Sequence, residues 1–495
     1  MSAVAPARDV VVIGAGWAGL AAALRLTDHG RRVCLIDAAP QAGGRARRVD
    51  LHWRHPEHGV GPVAVDNGQH LLLGAYSDVL ALLARLGGGD RHRVDRRPMR
   101  LASSSGLLLQ RPRFADDAPG APGASLLGML LEPWSLLVAL ARAHGLSAGS
   151  RWAMIRALLR ARIAGWRPPA GVATVADWYR SARQPPELVA RIWQPIVVSA
   201  MNTPADDACA ATFLRVLRDS FGATPAASDF VLPHATLSDL FVDPAIASLR
   251  SRGGLIRLRS DIRRIERLDG NGGEGGSEGR EAGARYRVIG AGRSLEQRRD
   301  APMTFDCDEI VIATPPYSTA RLLDGLATAE TIAALERFDY LPITTAYLGW
   351  DAARLTGDRA LPSLLALNTA GRDDRPAQWF FDRGTVGHWR VAALVISDSR
   401  AARALGDARA GELLARQAIE ELQLPPPEQL SLIHEKRATI ACTPDRPRIG
   451  VDAVAAALPG IMLAGDYTYC DYPATLEGAV RSGRIAADAL LRPGR

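Results

Sequence analysis

Three glycines near the N-terminus leave this chain few ways to fold. Gly14, Gly16 and Gly19 fall in the order GxGxxG, directly after the apolar run Asp9–Ile13 and before Leu20–Leu26. An unbroken apolar run suits a strand buried on both faces of a parallel sheet. Leu20–Leu26 continues as a helix ending near Gly30, and Arg32–Asp37 reads as the second strand. In that setting the first glycine permits a tight turn and the second lets the backbone approach a pyrophosphate. The third lets helix and strand pack closely. The helix N-terminus adds free N–H groups and a positive dipole end. Asp37 closes the second strand, where a carboxylate can bind ribose hydroxyls. The bare motif is weak evidence, since Gly270–Gly275 also matches it in low-complexity sequence with no helix after it. The alternative for the first match is a glycine-rich structural turn.

Further along, strand and helix signals alternate in separated blocks. Gly253–Ile265 and Arg285–Ile289 alternate as strands do, and the Gly/Glu/Ser-rich stretch 269–283 between them reads as a floppy hairpin tip. Asp308–Thr314 is a buried strand stopped by Pro315 and Pro316. Tyr340–Trp350 is strand-like, Arg409–Leu422 is a helix, Gly460–Ala464 is a last strand and Leu476–Leu491 a last helix. Leu126–Trp166 reads as helices. One mononucleotide-type sheet then draws on the N-terminus, a piece near 250–320 and the C-terminus, with the helical middle inserted into it. Within 151–167, Trp152, Ile155, Leu159, Ile163 and Trp166 recur at helical spacing among Arg151, Arg156, Arg160, Arg162 and Arg167. Such a helix either turns its apolar face to the core with its arginines solvated, or lays that face on a membrane surface.

Two further loops bear on the cofactor. Gly43, Gly44 and Arg45 follow Asp37 closely enough to wrap a second loop round a pyrophosphate. Gly465 and Asp466 follow the last strand, and Leu476 and Glu477 open the last helix. That helix can aim N–H groups at a ring carbonyl and stabilise negative charge on a reduced ring. A cofactor held by both ends of a chain is long and enclosed. FAD fits this better than a nicotinamide that must exchange.

GAGWAGLAAA, the Gly43-Gly44-Arg45 run and LAGDYTYCDYPATLEGAVRSGRIAADAL together resemble the flavin-containing amine oxidase and phytoene desaturase superfamily. Asp66–Tyr76 (DNGQHLLLGAY) and Glu435–Thr439 (EKRAT) narrow the resemblance to the squalene-associated FAD-dependent desaturases, the hydroxysqualene dehydroxylases. The superfamily usually has Glu where this chain has Asp37, a shorter carboxylate that still reaches a ribose. The resemblance spans nearly the whole chain. It implies an α/β fold: a Rossmann-like FAD-binding domain from 1–100, 241–325 and 431–495, with an inserted α+β substrate domain from 101–240 and 326–430. Gln69 and Ile262 join Gly14, Gly16, Gly19, Asp37, Gly44, Arg45, Gly465, Asp466, Leu476 and Glu477 as the FAD-binding positions it implies.

Amine oxidases of this superfamily resemble one another in carrying a lysine on a substrate-domain strand. The matching strand here, Leu341–Trp350, has none, and Lys436 is the chain's single lysine. The resemblance therefore implies a long-chain isoprenoid substrate: reduction of hydroxysqualene to squalene and water towards hopanoids, coupled to squalene-forming prenyl synthases. A carotenoid-type desaturase shares every cofactor motif, and a non-enzymatic isoprenoid carrier is a third reading. For dehydroxylation, protonating an allylic hydroxyl lets water leave a delocalised cation. His70 is the candidate acid, or else a histidine satisfied within its loop. Asp66 orients that loop or caps a turn. Tyr469, Tyr472 and Thr475 are candidate pocket residues. Glu435, Lys436 and Arg437 form either a network near the flavin or a solvated surface strand, and Trp193 and Gln194 read as core.

Composition removes other classes. Of 495 residues, 47% are hydrophobic and 23% charged, a globular balance long enough for two or three domains at roughly 150 residues each. The net charge is +7 and the basic residues are almost all arginine, with no basic stripe interleaved with aromatics, so no nucleic-acid partner is expected. The five cysteines are scattered without a CxxC pair, which fits a reducing compartment. No His/Cys cluster has metal spacing and no GxSxG occurs. The polar start MSAVAPARD is not a signal peptide, and no stretch is apolar enough to span a bilayer. A cytoplasmic location follows, with or without peripheral contact at the inner membrane face.

Overall fold

The computed structural model describes residues 8–87, 94–112, 134–268, 284–293, 300–354, 361–367, 372 and 374–492. Strand β1 (Arg8–Ile13), helix α1 (Trp17–Asp28) and strand β2 (Val33–Ile36) form the first βαβ unit. Val10, Val11 and Val12 are fully buried because both faces of their parallel sheet are covered. The sheet runs in the order Leu255–Arg257, β2, β1, Asp300–Ile312, Tyr286–Arg293, Ser260–Arg267, and Ile461–Leu463 joins alongside Asp300–Ile312. One long strand does two jobs: Cys307 pairs with Arg8 in parallel and with Tyr286 antiparallel. The expected hairpin is present as Ser260–Arg267 against Tyr286–Arg293. Its tip, 269–283, lies outside the described residues. The first part of that alternating run is a separate strand, Leu255–Arg257, because Arg259 turns the chain at φ 54°.

The last helix, Leu476–Leu491, closes the nucleotide-binding half against α1. The two cross so tightly that a Cβ on Gly483 would lie 2.1 Å from the Ala18 carbonyl oxygen. The two ends of the chain are therefore packed together, as a fold split by a long insertion requires.

The second sheet is antiparallel, in the order Leu364–Ala366, Trp379–Val386, Trp389–Ser397, Tyr340–Asp351, Gln429–Ile440. Tyr340–Asp351 is buried on both faces. Tyr347 packs into the core shared with the helices between 135 and 217, while Ala346, Leu348 and Trp350 face helix Asp407–Leu422. Residues 431–440, expected with the nucleotide-binding part, thus pair in this second sheet. The hairpin Arg48–His55/Gly59–Asp66 also packs into the second core, through Leu51, Trp53, Val63 and Val65. Of the expected helical run Leu126–Trp166, the structure shows Ser135–Ala141 and Ala148–Ile163; 126–133 lies outside the described residues.

Candidate active site

The fingerprint turn is built by close approach. Gly14 sits at φ 107°, and a Cβ there would lie 2.5 Å from the Ala313 carbonyl oxygen. A Cβ on Gly19 would lie 1.8 Å from the Gly14 carbonyl oxygen, so the third glycine sets how closely the helix meets the turn. Gly16 differs from both: a Cβ there would meet no atom of the described residues within 4 Å, and the residue lines a cavity of about 830 Å³. α1 starts with no side-chain cap and no acidic residue in its first turn. Its N–H groups and positive end are left for an anion.

Asp37 lines the same cavity, with its carboxylate partly engaged by this turn. Oδ2 accepts from Ala15 N at 2.6 Å and Oδ1 from Ala39 N at 2.7 Å. Burial pushes its carboxyl up, and these two N–H groups pull it back. The second glycine loop lies on the first: Gly43 N donates to Ala15 O at 2.8 Å, and a Cβ on Gly44 would lie 3.2 Å from Gly16 Cα. Arg45 then reaches across the cavity wall, donating to Asp466 Oδ2 at 2.7 Å and to Ala438 O at 3.1 Å. Burial opposes its charge, and Asp466 outweighs that opposition.

The Asn67–His70 loop continues the wall. Asn67 Nδ2 donates to Arg45 O and to Glu435 Oε2, both at 3.0 Å, which ties Glu435 to the cavity rather than to solvent. Lys436 and Arg437 are exposed, Arg437 lying 4.2 Å over the Tyr317 ring. Gln69 Oε1 is buried with no partner among the described residues and lines the cavity. His70 lines it too, with Nδ1 2.6 Å from Gly68 O. A carbonyl only accepts, so Nδ1 carries the proton and Nε2 is an acceptor. Burial, with Arg45 and Arg383 nearby, pushes the imidazole down to about 4. This geometry counts against His70 as the acid at neutral pH. Asp66 does not line the cavity. It is buried behind the loop, where Oδ1 accepts from Leu237 N at 2.7 Å and Tyr347 donates to its carbonyl. Burial pushes its carboxyl up to about 6 despite Arg383 Nη2 at 3.7 Å. It anchors the loop.

At the C-terminal end, Gly465, Asp466, Tyr472, Thr475 and Leu476 line the cavity, as does Ile262 on its strand. Thr475 caps the last helix by accepting from Gly478 N at 3.1 Å. Glu477 and Tyr469 do not reach the cavity. Glu477 is buried against helix Ser77–Arg85, accepting from Asp78 N at 3.1 Å, Val79 N at 3.0 Å and Arg481 Nε at 2.7 Å. The free N–H groups of that helix start, together with Arg481, claim its charge. The Tyr469 hydroxyl accepts from Arg481 Nη1 at 3.1 Å, and its ring backs Tyr472 at 5.4 Å. Trp193 is core, as expected, bonded to Gln184 Oε1.

Beyond the glycine loops the cavity runs into an apolar lobe that includes Leu101, Ile196, Phe221, Phe230, Trp379 and Phe381. Trp379 Nε1 is buried there without a partner among the described residues. These residues come from scattered segments, and nothing in their local sequence singles them out. The open cradle at Gly16, the uncapped helix start and the unpartnered Gln69 oxygen together suit a flavin dinucleotide.

The sequence profile of the family described as flavin containing amine oxidoreductase matches residues 17–491. The chain belongs to this family. It is a flavin-dependent oxidoreductase. Its relatives include the hydroxysqualene dehydroxylase of Zymomonas mobilis, 26% identical over 97% of this chain and 98% of that one. The hydroxysqualene dehydroxylase of Rhodopseudomonas palustris is 27% identical over 99% of both. The 15-cis-phytoene desaturase of Capsicum annuum is 23% identical, covering 98% of this chain and 78% of that one. Among solved structures, a putrescine oxidase superposes with TM-score 0.61 at 15% identity over 98% of this chain and 99% of its own. The cyclohexylamine oxidase of Brevibacterium oxydans does so with TM-score 0.57 at 18%, again over 98% and 99%. At such identities the structures show a shared fold, the α/β nucleotide-binding domain with its insertion.

Proposed function

We propose that this flavoprotein uses FAD to reduce hydroxysqualene to squalene, downstream of squalene-forming prenyl synthases and towards hopanoids. The observation that carries this reading is one cavity in which the nucleotide cradle at Gly16 and Arg45 opens into an apolar lobe walled by Phe221, Phe230, Trp379 and Phe381. A long isoprenoid matches that lobe, and the names of the two dehydroxylase relatives agree with it. Amine oxidation has less support, since the strand Tyr340–Asp351 has no lysine and Lys436 is exposed.

The chain's own groups divide the work. The start of α1, Gly16 and the Gly44–Arg45 loop would hold the pyrophosphate, and Asp37 the ribose. The N-terminus of the last helix and the Asn67–His70 loop would flank the ring system. In the overall exchange the allylic C–O bond breaks, a C–H bond forms and the hydroxyl oxygen leaves as water; reduced FAD, once bound, would supply the hydride for the new C–H bond and, on returning to its oxidised form, the proton that the departing hydroxyl takes up. The apolar walls exclude water from this step. Trp379 and Phe381 bring aromatic side chains to the lobe's wall, which suits a delocalised cation. His70 Nε2 can accept a hydrogen bond from the substrate hydroxyl and so hold it in place.

The test is a single-turnover reaction under anaerobic conditions. Purified protein with chemically reduced flavin is mixed with hydroxysqualene, and squalene is quantified against flavin reoxidised. Matched amounts support the proposal. No squalene from flavin-loaded protein would refute it and favour a desaturase, in keeping with the phytoene desaturase relative. Oxidised flavin and phytoene-like polyenes would then be tried.

A further inference from the structure

The helix Ala148–Ile163 is apolar on two faces. Its inner face is small and close-packed: Ala153, Met154, Ala157, Leu158 and Ala161 are buried in the second core. Its outer face carries Trp152, Leu159 and Ile163, which are 61%, 42% and 86% exposed. The stripe predicted from helical spacing therefore lies mainly outside, and the reading that turned it to the core is overturned at these three residues. Trp134, at the start of the neighbouring helix, is exposed as well. An apolar stripe that the rest of the described residues does not cover marks an interaction surface.

Charge identifies what it meets. Between Trp134 and Ala176 there are six arginines (Arg142, Arg151, Arg156, Arg160, Arg162, Arg167) and no aspartate or glutamate. Just beyond, Arg180 and Arg191 are paired with Asp177 and Glu187. Arg160, Arg162 and Arg167 are exposed beside the stripe. Tryptophan and aliphatic residues between solvated arginines are the composition of a helix lying in the headgroup layer of an anionic bilayer. A second copy of this chain would bring like charges together. No helix among the described residues is long and apolar enough to cross a membrane, so contact would be interfacial.

The surface also lies close to the cavity. Trp166, just past the helix, packs so tightly on Gly222 that a Cβ there would lie 2.5 Å from Trp166 Cζ2. Phe221, the next residue back, lines the apolar lobe. We infer that Trp152, Leu159 and Ile163, with Arg160, Arg162 and Arg167, dock this protein on anionic lipid, one side chain away from its cavity wall. This holds whichever apolar substrate the flavin site takes.

The test uses the flavin-loaded full chain and vesicles of phosphatidylcholine alone or mixed with phosphatidylglycerol, in flotation at low and high salt. The protein is expected to float with the phosphatidylglycerol vesicles and less so at high salt. Trp152→Ser/Ile163→Ser and, separately, Arg160→Gln/Arg162→Gln are each expected to weaken partitioning on the order of tenfold. All four side chains are exposed, so flavin content and melting temperature should stay those of the parent. Absence of parent binding to phosphatidylglycerol vesicles would overturn the inference, as would parent-like binding by both variants. A concentration-dependent dimer lost in Trp152→Ser/Ile163→Ser, without vesicle binding, would replace lipid with a second copy. Turnover is not read, so this result is independent of the proposed reaction.

Discussion

Gly16 and Gly19 belong to one motif but serve different ends, and substitution separates them. At Gly16 a Cβ meets no atom of the described residues within 4 Å, so Gly16→Val should leave the apoprotein's melting temperature nearly unchanged and abolish flavin binding. At Gly19 a Cβ would lie 1.8 Å from the Gly14 carbonyl oxygen, so even Gly19→Ala should destabilise the fold. Retained flavin at full stoichiometry in Gly16→Val would contradict the cradle assignment. His70 makes a different prediction. Its imidazole is pushed from 6.5 to about 4, so the folded state resists a proton that the unfolded chain accepts. Its contribution is present above about 6.5 and is lost as pH falls through about 4. His70→Gln should remove that acid-side loss, on the order of 3 kcal/mol. Asp66, pushed up to about 6, has the opposite slope, because its proton is held longer in the folded state. Urea unfolding of parent and variant across this range measures the difference, and parallel curves would sink the assignment. The motif was legible in sequence because glycine spacing is local. The tautomer of His70 was not, because it depends on the loop folding its ring onto the Gly68 carbonyl.

Among the elements, the last helix shows how a correct boundary can mislead about a side chain. Leu476–Leu491 forms where the pattern predicts it, and Leu476 lines the cavity. Glu477, one residue on, is turned by about 100° round the helix and serves the start of Ser77–Arg85 instead. Glu477→Ala should therefore lower stability by about 2–4 kcal/mol, by leaving the buried Val79 N–H, the partly buried Asp78 N–H and Arg481 Nε without their acceptor. Flavin stoichiometry and the absorption spectrum should be unchanged. A lowered flavin affinity with parent-like stability would restore Glu477 to the cofactor. The helix Ala148–Ile163 carries the same lesson: helical period shows that residues share a face and says nothing about what covers it.

For the molecule as a whole, the site closes through contacts between distant segments. Arg45 and Asp466 meet at 2.7 Å across most of the chain, and Arg45 also holds Ala438. Arg45 keeps 37% of its side chain exposed and Asp466 only 7%. Arg45→Met should thus cost about 1–3 kcal/mol, less than breaking a fully buried pair. Adding Asp466→Asn should recover part of it, since no buried charge is then left unpaired. Additive losses in a double-mutant cycle would mean the pair is not coupled. Local spacing by itself determined the βαβ unit, the glycine cradle, the strand and helix blocks and hence a nucleotide-binding fold, because turn geometry and apolar period act over a few residues. Tertiary structure alone decided that residues 431–440 join the second sheet and that Asp66 and Glu477 act as anchors. It also decided which scattered apolar side chains wall the lobe and that Trp152 and Ile163 face outward. Each of those outcomes depends on which distant segment supplies a partner, and that information is held in no single stretch of the chain.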